Sequence, residues 1–389
     1  MANTASVSEP APARFDFLVI VIFALALRLL VATVCTLEFD FEKYPHETWL
    51  GLWDRWDAKH YEYIAENFYA RGTKSEEDHR FLSRFPPLYP IFMGAVIRLT
   101  FLPTPVAGIV ISLACLIAAS WLFFRLLLFE WGDRSAALRG VVLLNVFPSA
   151  YFSQAPFSEA LFLLLIVSVF FSIRVRQNIG AGWIFVGLAL FTRIVGILAA
   201  LPVFIATLRK LRTKPLGSSD WLPSVVPVAM ITHFLIINLH YYRDPFAFLL
   251  LQDASKENSH IVRPSFAPFQ ELSVSLRHLA FEPIQAFQDH FFMMTQGWGA
   301  ILFLSVALVL LAGVRFLPLE YQAFSWAYLL FLSNLKWAVS LPRYLWLTIP
   351  VYMVLAKIRW PIIFWSVAAL AFVLQLYLAR EFSRGTMGY

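Results

Sequence analysis

Long apolar runs alternate with short polar segments along almost the whole chain. Eleven runs carry the pattern, at residues 17–37, 105–128, 138–153, 157–173, 180–192, 195–208, 222–241, 292–314, 319–334, 343–356 and 360–379. Several reach the roughly 20 residues that a helix needs to cross a bilayer. The pattern predicts an all-α polytopic membrane protein with about 11 transmembrane helices. Some runs are shorter than a crossing. Short helices that meet at a proline or glycine usually line a cavity, because irregular backbone is tolerated there and not against lipid. Residues 1–14 are small, polar and proline-containing, and read as a disordered cytoplasmic tail. Residues 15–389 read as one membrane domain with two long outer loops, 38–104 and 242–291. The run from Phe17 to Leu37 is too long for a signal-peptide core and reads as an uncleaved first span.

Composition agrees. The chain is 59% hydrophobic and 14% charged, against about 25% charged in a soluble globule. Its net charge of +6 is a topology signal, since basic residues cluster in short loops and form no nucleic-acid stripe. Four clusters do this: Arg209, Lys210, Arg212 and Lys214; Arg174 and Arg176; Lys357 and Arg359; and Arg125, Arg134 and Arg139. Placing all four in the cytoplasm puts the N-terminus inside and the C-terminus outside. It also requires residues 87–103 to lie as an outer interfacial helix. Cys35 and Cys115 both fall in apolar runs and form no disulfide or metal framework.

This topology brings loop 38–104, the hairpin Pro148–Glu159, the break Thr192–Gly196 and the Pro342-Arg343-Tyr344 turn to the outer face. Residues 38–78 hold 11 of the 25 acidic residues, a polar island in a lipid-soluble chain. Within it, Asp57 follows Trp56. An indole partly desolvates a neighbouring carboxylate and raises its pKa, which suits a general base; the plainer reading is a solvated loop acid. His60, three residues on, shares a helical face with Asp57. Asp54 has the spacing to join Asp57 at a divalent metal, although two carboxylates are a weak metal signal. No cofactor is otherwise indicated. Arg84 precedes Phe85-Pro86-Pro87, a rigid elbow, and is a candidate phosphate contact. Glu159 is either a helix-capping acid or a functional one. Arg193 and Arg343 interrupt apolar segments and need an anion: a lipid phosphate or an acid such as Glu159. Snorkelling is the plain alternative. Arg28 lies deeper and is expected to pair inside the bundle.

Trp56-Asp57-Ala58-Lys59-His60-Tyr61-Glu62-Tyr63-Ile64-Ala65-Glu66 followed by Arg84-Phe85-Pro86-Pro87-Leu88-Tyr89-Pro90 resembles the first outer loop of the GPI mannosyltransferase 2 (PIG-V type) family and its prokaryotic relatives. The resemblance continues through Phe147–Glu159, Thr192–Gly196, Asp244–Phe248 and Arg343-Tyr344 with Pro350, about residues 50–356. It departs at Arg-Phe-Pro-Pro, where the family has Phe-Phe-Pro, and at Pro156-Phe157-Ser158. The resemblance implies the GT-C glycosyltransferase fold and a polyprenyl-phosphate sugar donor, mannose above all. It also implies inverting transfer to a hydroxyl of a glycan, lipid or protein acceptor. The setting it implies is the outer face of a prokaryotic cytoplasmic membrane, or the endoplasmic reticulum membrane if the chain is eukaryotic. By position, Asp57 is the catalytic acid of the first loop and Glu159 the acid of the hairpin. Arg193 and Arg343, with Tyr344, sit where the fold binds its lipid phosphate. Trp53, Trp56 and Tyr61 are expected to stack on sugar. The other readings are a lipid or solute transporter or flippase, or a non-catalytic sugar-lipid-binding subunit.

Overall fold

The computed structural model describes residues 14–250, 268–334 and 340–386. Residues 1–13 of the expected tail, and Gln252 and Asp253 of the second outer loop, lie outside the described residues. Among the described residues every regular element is helical. The chain runs α1 Arg14–Leu37, α2 Asp57–Asn67, α3 Glu76–Phe81, α4 Leu88–Thr100, α5 Thr104–Trp131, α6 Arg134–Val146, α7 Glu159–Arg174, α8 Ile179–Thr192, α9 Ala200–Leu211 and α10 Ser218–Trp221. It continues with α11 Val225–Tyr242, α12 Ala247–Leu250, α13 Gln270–Phe281, α14 Pro283–Gln288, α15 His290–Phe292, α16 Trp298–Gly313, α17 Leu319–Leu332, α18 Leu341–Leu345, α19 Pro350–Leu355 and α20 Pro361–Ser383.

Six segments among the described residues are long and apolar enough to cross a membrane: 15–37, 104–131, 194–211, 218–242, 290–313 and 361–383. The other expected spans are helical but shorter. Two of them break where proline intervenes. The helix expected over 138–153 ends at Val146, because a residue before proline, here Phe147 before Pro148, is pushed out of the helical region. The helix expected over 343–356 splits into α18 and α19, each with proline in its first turn. Pro350 has no N–H to continue the first piece. The long helix α5 is central, packing on α1, α4, α6 and α7, and α7 packs on α8.

The ends of the bundle differ in chemistry. At one end Arg174 pairs with Glu130 (2.7 Å) and Arg209 with the buried Glu320 (2.8 Å). Tyr321 donates to Glu130 (2.9 Å) and Arg139 to the Ala356 carbonyl (2.8 Å). Arg134 holds Asp16 there. These are the basic clusters used to orient the chain, and they do gather on one side. At the opposite end the C-terminal part of α20 meets the first long loop: Arg380 pairs with Glu38 (2.9 Å) and Arg384 donates to the Glu38 carbonyl (3.0 Å).

Arg28 sits buried between these ends and meets no carboxylate among the described residues. It donates to the Gln375 side-chain oxygen (3.1 Å), to the Asn145 carbonyl (2.5 Å) and weakly to Ser153 (3.5 Å). Its partners inside the bundle are therefore neutral. Together with Gln375, which donates to the Phe147 carbonyl (2.6 Å), it satisfies the carbonyls left over where α6 stops.

Candidate active site

The first long loop is built on α2. Its first residue is Asp57, and a carboxylate is favourable in a helix's first turn. Trp56 just before it has φ 55° and ψ −120°, and Phe68 just after the helix has φ 52° and ψ −138°. Side-chain-bearing residues rarely occupy this region, which costs about 1–3 kcal/mol each. Tertiary bonds hold α2 against that strain. The Tyr61 hydroxyl bonds Ser158 (2.7 Å) and joins the loop to the start of α7. Tyr69 donates to the Phe85 carbonyl, and His79 bonds the Tyr69 carbonyl (2.8 Å). The Pro86-Pro87 elbow then turns the chain into α4. There Tyr89 donates to the Gly108 carbonyl (2.9 Å), fixing α4 on α5.

Four charged side chains from distant parts of the sequence meet beneath this loop. Arg343, on α18, reaches Asp57 (2.7 Å) and Glu159 (3.4 Å). Arg193, at the end of α8, reaches the same Glu159 oxygen (2.7 Å) and donates to Ser158 (3.1 Å). Glu159 is fully buried, and its other carboxylate oxygen has no hydrogen-bond partner. Tyr344 packs between the cations: the Arg193 guanidinium lies 4.8 Å from its ring centre, and Arg343 donates to its hydroxyl (3.2 Å). The turn that presents Arg193 needs Gly196. A Cβ there would lie 2.4 Å from the Ala189 carbonyl carbon, so the chain folds back tightly on α8 directly after the arginine.

Asp57 corrects one expectation. Burial alone would push its carboxyl up, but Arg343, then His60 and Arg193, hold it below the ordinary aspartate range. The indole of Trp56 is outweighed by a guanidinium in contact. His60 stacks on Phe85 (5.1 Å between ring centres) and against Phe81 (4.7 Å). Burial lowers its pKa, with Asp57 opposing. Its Nδ1 and the Trp56 indole nitrogen are buried without partners. Arg84 sits over Phe81 (4.7 Å) with no carboxylate within ion-pair distance among the described residues. Its Nε and one terminal nitrogen are buried and unbonded. Burial lowers its pKa to about 10, partly offset by Asp57 and Tyr344, so it stays charged.

Other expected roles are redistributed. Trp53 is buried and stacks on Phe382 (6.1 Å), and Tyr61 is buried under Phe85 and Tyr89. Both are core, not sugar platforms. Asp54 pairs with Lys59, which also reaches Glu62 (3.5 Å). Asp54 and Asp57 thus pair with different cations, Lys59 and Arg343, and among the described residues no three His, Cys, Asp or Glu side chains are placed to hold a metal. Burial, and then the adjacent Asp54 carboxylate, push Glu62 up to about 8, with Lys59 opposing. An acid whose folded pKa is raised loses stability as it ionises. The protein is therefore expected to melt at a lower temperature as pH rises from the ordinary glutamate range, about 4.3, to about 8. Glu62→Gln should remove this part of the slope. A melting series for both proteins checks it, and an unchanged slope in the variant would count against the assignment.

No protein-family profile matches the chain, and no curated protein matches it. Solved structures do. ArnT from Cupriavidus metallidurans bound to undecaprenyl phosphate aligns over 93% of this chain and 64% of its own, at TM-score 0.55 and 16% identity. Its apo state aligns over 90% and 62%, at TM-score 0.50 and 16% identity. The chain shares the GT-C fold. An oligosaccharyltransferase from Archaeoglobus fulgidus, tethered to an acceptor peptide, covers 95% of this chain and 55% of its own at 11% identity. Its TM-score is 0.43. The chain thus spans less than two thirds of ArnT's length.

On this GT-C scaffold the site also contains groups that residue patterns did not single out. Ser158 links Tyr61 to Arg193; a serine beside an acid at a helix start reads only as a cap. Tyr328, on α17, buries an unbonded hydroxyl within electrostatic reach of Arg193, Tyr344, Glu159 and Arg343. Nothing in its sequence neighbourhood separates it from other core tyrosines. Beside the Arg193 break lies an apolar cavity of about 220 Å³, lined by Leu190, Ile194, Ile197, Pro227, Val228 and Ile231.

Proposed function

We propose that this chain is a membrane glycosyltransferase that moves a sugar, mannose by the first-loop resemblance, from a polyprenyl-phosphate donor to an acceptor hydroxyl on the extracytoplasmic face, with inversion. One observation carries the reading. Among the described residues three guanidiniums, Arg84, Arg193 and Arg343, stand against two carboxylates, Asp57 and Glu159. One positive charge is left over, and a sugar phosphodiester carries one negative charge. Arg84, with unfilled donors, is the contact for it. The apolar cavity next to Arg193 suits the isoprenoid chain of the same molecule. ArnT, which shares the fold, was solved with a polyprenyl phosphate.

In this reading Asp57 takes the proton of the acceptor hydroxyl. The hydroxyl oxygen bonds to the anomeric carbon as the carbon–oxygen bond to phosphate breaks, and the phosphate leaves with that electron pair. The arginines stabilise the charge growing on it. The clustering of Asp57, Glu159, Arg193 and Arg343 beneath one long loop favours this reading over a transporter, which needs polar groups aligned through the membrane. The test is incubation of purified protein with radiolabelled polyprenyl-phosphate mannose and candidate glycan, lipid and protein acceptors. Label must move to an acceptor; hydrolysis or no turnover with every acceptor counts against it. Arg84→Ala is expected to raise the donor KM by roughly tenfold to a hundredfold, the scale of a lost hydrogen bond to a charged group, with a smaller change in kcat. An unchanged donor KM would remove Arg84 from the donor site.

A further inference from the structure

A carboxylate gripped by a guanidinium is a poor base, yet the proposed reaction asks Asp57 to accept a proton. The geometry offers a way out. Arg343 has two acids in reach, Asp57 at 2.7 Å and Glu159 at 3.4 Å, and a third contact in the Tyr344 hydroxyl at 3.2 Å. Glu159 has an unbonded, buried oxygen and so keeps acceptor capacity for more of the guanidinium. Arg343 can release Asp57 without becoming a buried unpaired charge. Arg84 presents unfilled donors near Asp57, and an anion drawn to it would face the aspartate directly. Two anions side by side repel unless a cation moves between them.

Resting on the donor assignment above, we infer that Arg343 is an exchanging cation: it holds Asp57 until the donor arrives, then transfers to the donor phosphate and frees Asp57 to act as base. Donor must then bind before an acceptor can be deprotonated. The same contact that stabilises the leaving phosphate switches the base on, so the acceptor cannot be activated in the donor's absence. Glu159 is the anchor for this exchange, a positioning residue that touches neither substrate. After transfer the polyprenyl phosphate leaves, Asp57 gives its proton to water, and Arg343 returns to the carboxylate.

The charged and titratable groups facing Asp57 are Arg343 from α18, His60 and Tyr61 on its own helix, Arg84 before the proline elbow, and Arg193 from the α8 break, with Glu159 behind the two deeper arginines. Of these, Arg343 is in contact, so its departure should dominate the titration of Asp57. The test uses the full chain in lipid nanodiscs and needs no acceptor. Infrared difference spectra against Asp57→Asn report the Asp57 carboxyl as pH is varied, with farnesyl phosphate, with farnesol, or with neither. Farnesyl phosphate is expected to raise the Asp57 titration midpoint by at least about one unit, a tenfold gain in proton affinity; farnesol should leave it in place. In Arg343→Lys, a shorter and more compact cation, the midpoint should respond less. Calorimetry run beside it separates the failures. If farnesyl phosphate binds and the midpoint does not move, the exchange is wrong while the donor reading stands. If farnesyl phosphate does not bind, the donor reading falls and takes the exchange with it.

Discussion

Asp57→Asn is expected to cut sugar transfer by about 10²–10⁴, the contribution of a positioned general base, while leaving the protein folded. Asparagine has the same shape and can still accept a hydrogen bond from Arg343, and Asp57 lies on a loop helix outside the spans. The loss should appear in kcat, because the donor's phosphate contacts remain. Freed from Asp57, Arg343 is available to the phosphate, so donor affinity should hold or improve. Transfer and donor binding measured on the same preparation check both halves. Normal transfer by this variant would refute the base assignment. Loss of donor binding in parallel would recast Asp57 as a structural counter-ion for Arg343.

Glu159→Ala is expected to be the most damaging single change to stability. Glu159 is fully buried and is the nearest acid to Arg193 and the second acid of Arg343. Removing one member of a buried ion pair leaves a buried cation uncompensated, at a cost of about 3–5 kcal/mol. Glu159→Gln should cost less, since its amide oxygen can still accept from Arg193. The two variants therefore separate charge from hydrogen bonding. Thermal melting in detergent gives the order directly, with alanine well below glutamine and glutamine below the parent. If both melt like the parent, water or lipid headgroups satisfy Arg193, and the site is wetter than its burial indicates.

The two variants also distinguish how the site was assembled. Glu159, Arg193 and Arg343 could be picked out along the chain because an ionisable side chain amid apolar residues is costly and needs a purpose, Asp57 because it follows an indole in a polar island, and Arg84 because it precedes a proline elbow. Those signals are local. What each group pairs with is not local. Asp57 looked like an acid raised by its indole, yet it is held down by a residue 286 positions away. Asp54 and Asp57 are spaced as a pair, but they pair with different cations, Lys59 and Arg343. Trp53 and Tyr61 looked like sugar platforms because aromatics beside acids often are. Only packing against Phe382, Phe85 and Tyr89 shows that they are core.

The amino-acid sequence alone was enough for the membrane class, the helical architecture, the gathering of basic loops at one end, and the list of charged residues that need explaining. These follow from hydropathy, helix length and the cost of burying charge, which act over a turn or a span at a time. The tertiary structure alone decided which charges neutralise one another, that Arg84 has no carboxylate within ion-pair distance among the described residues, and which aromatics face inward. Those outcomes depend on contacts between residues distant along the chain, Arg193 with Glu159 and Arg343 with Asp57 among them, and Coulomb interactions in a buried setting are set by distance in space rather than by order along the chain.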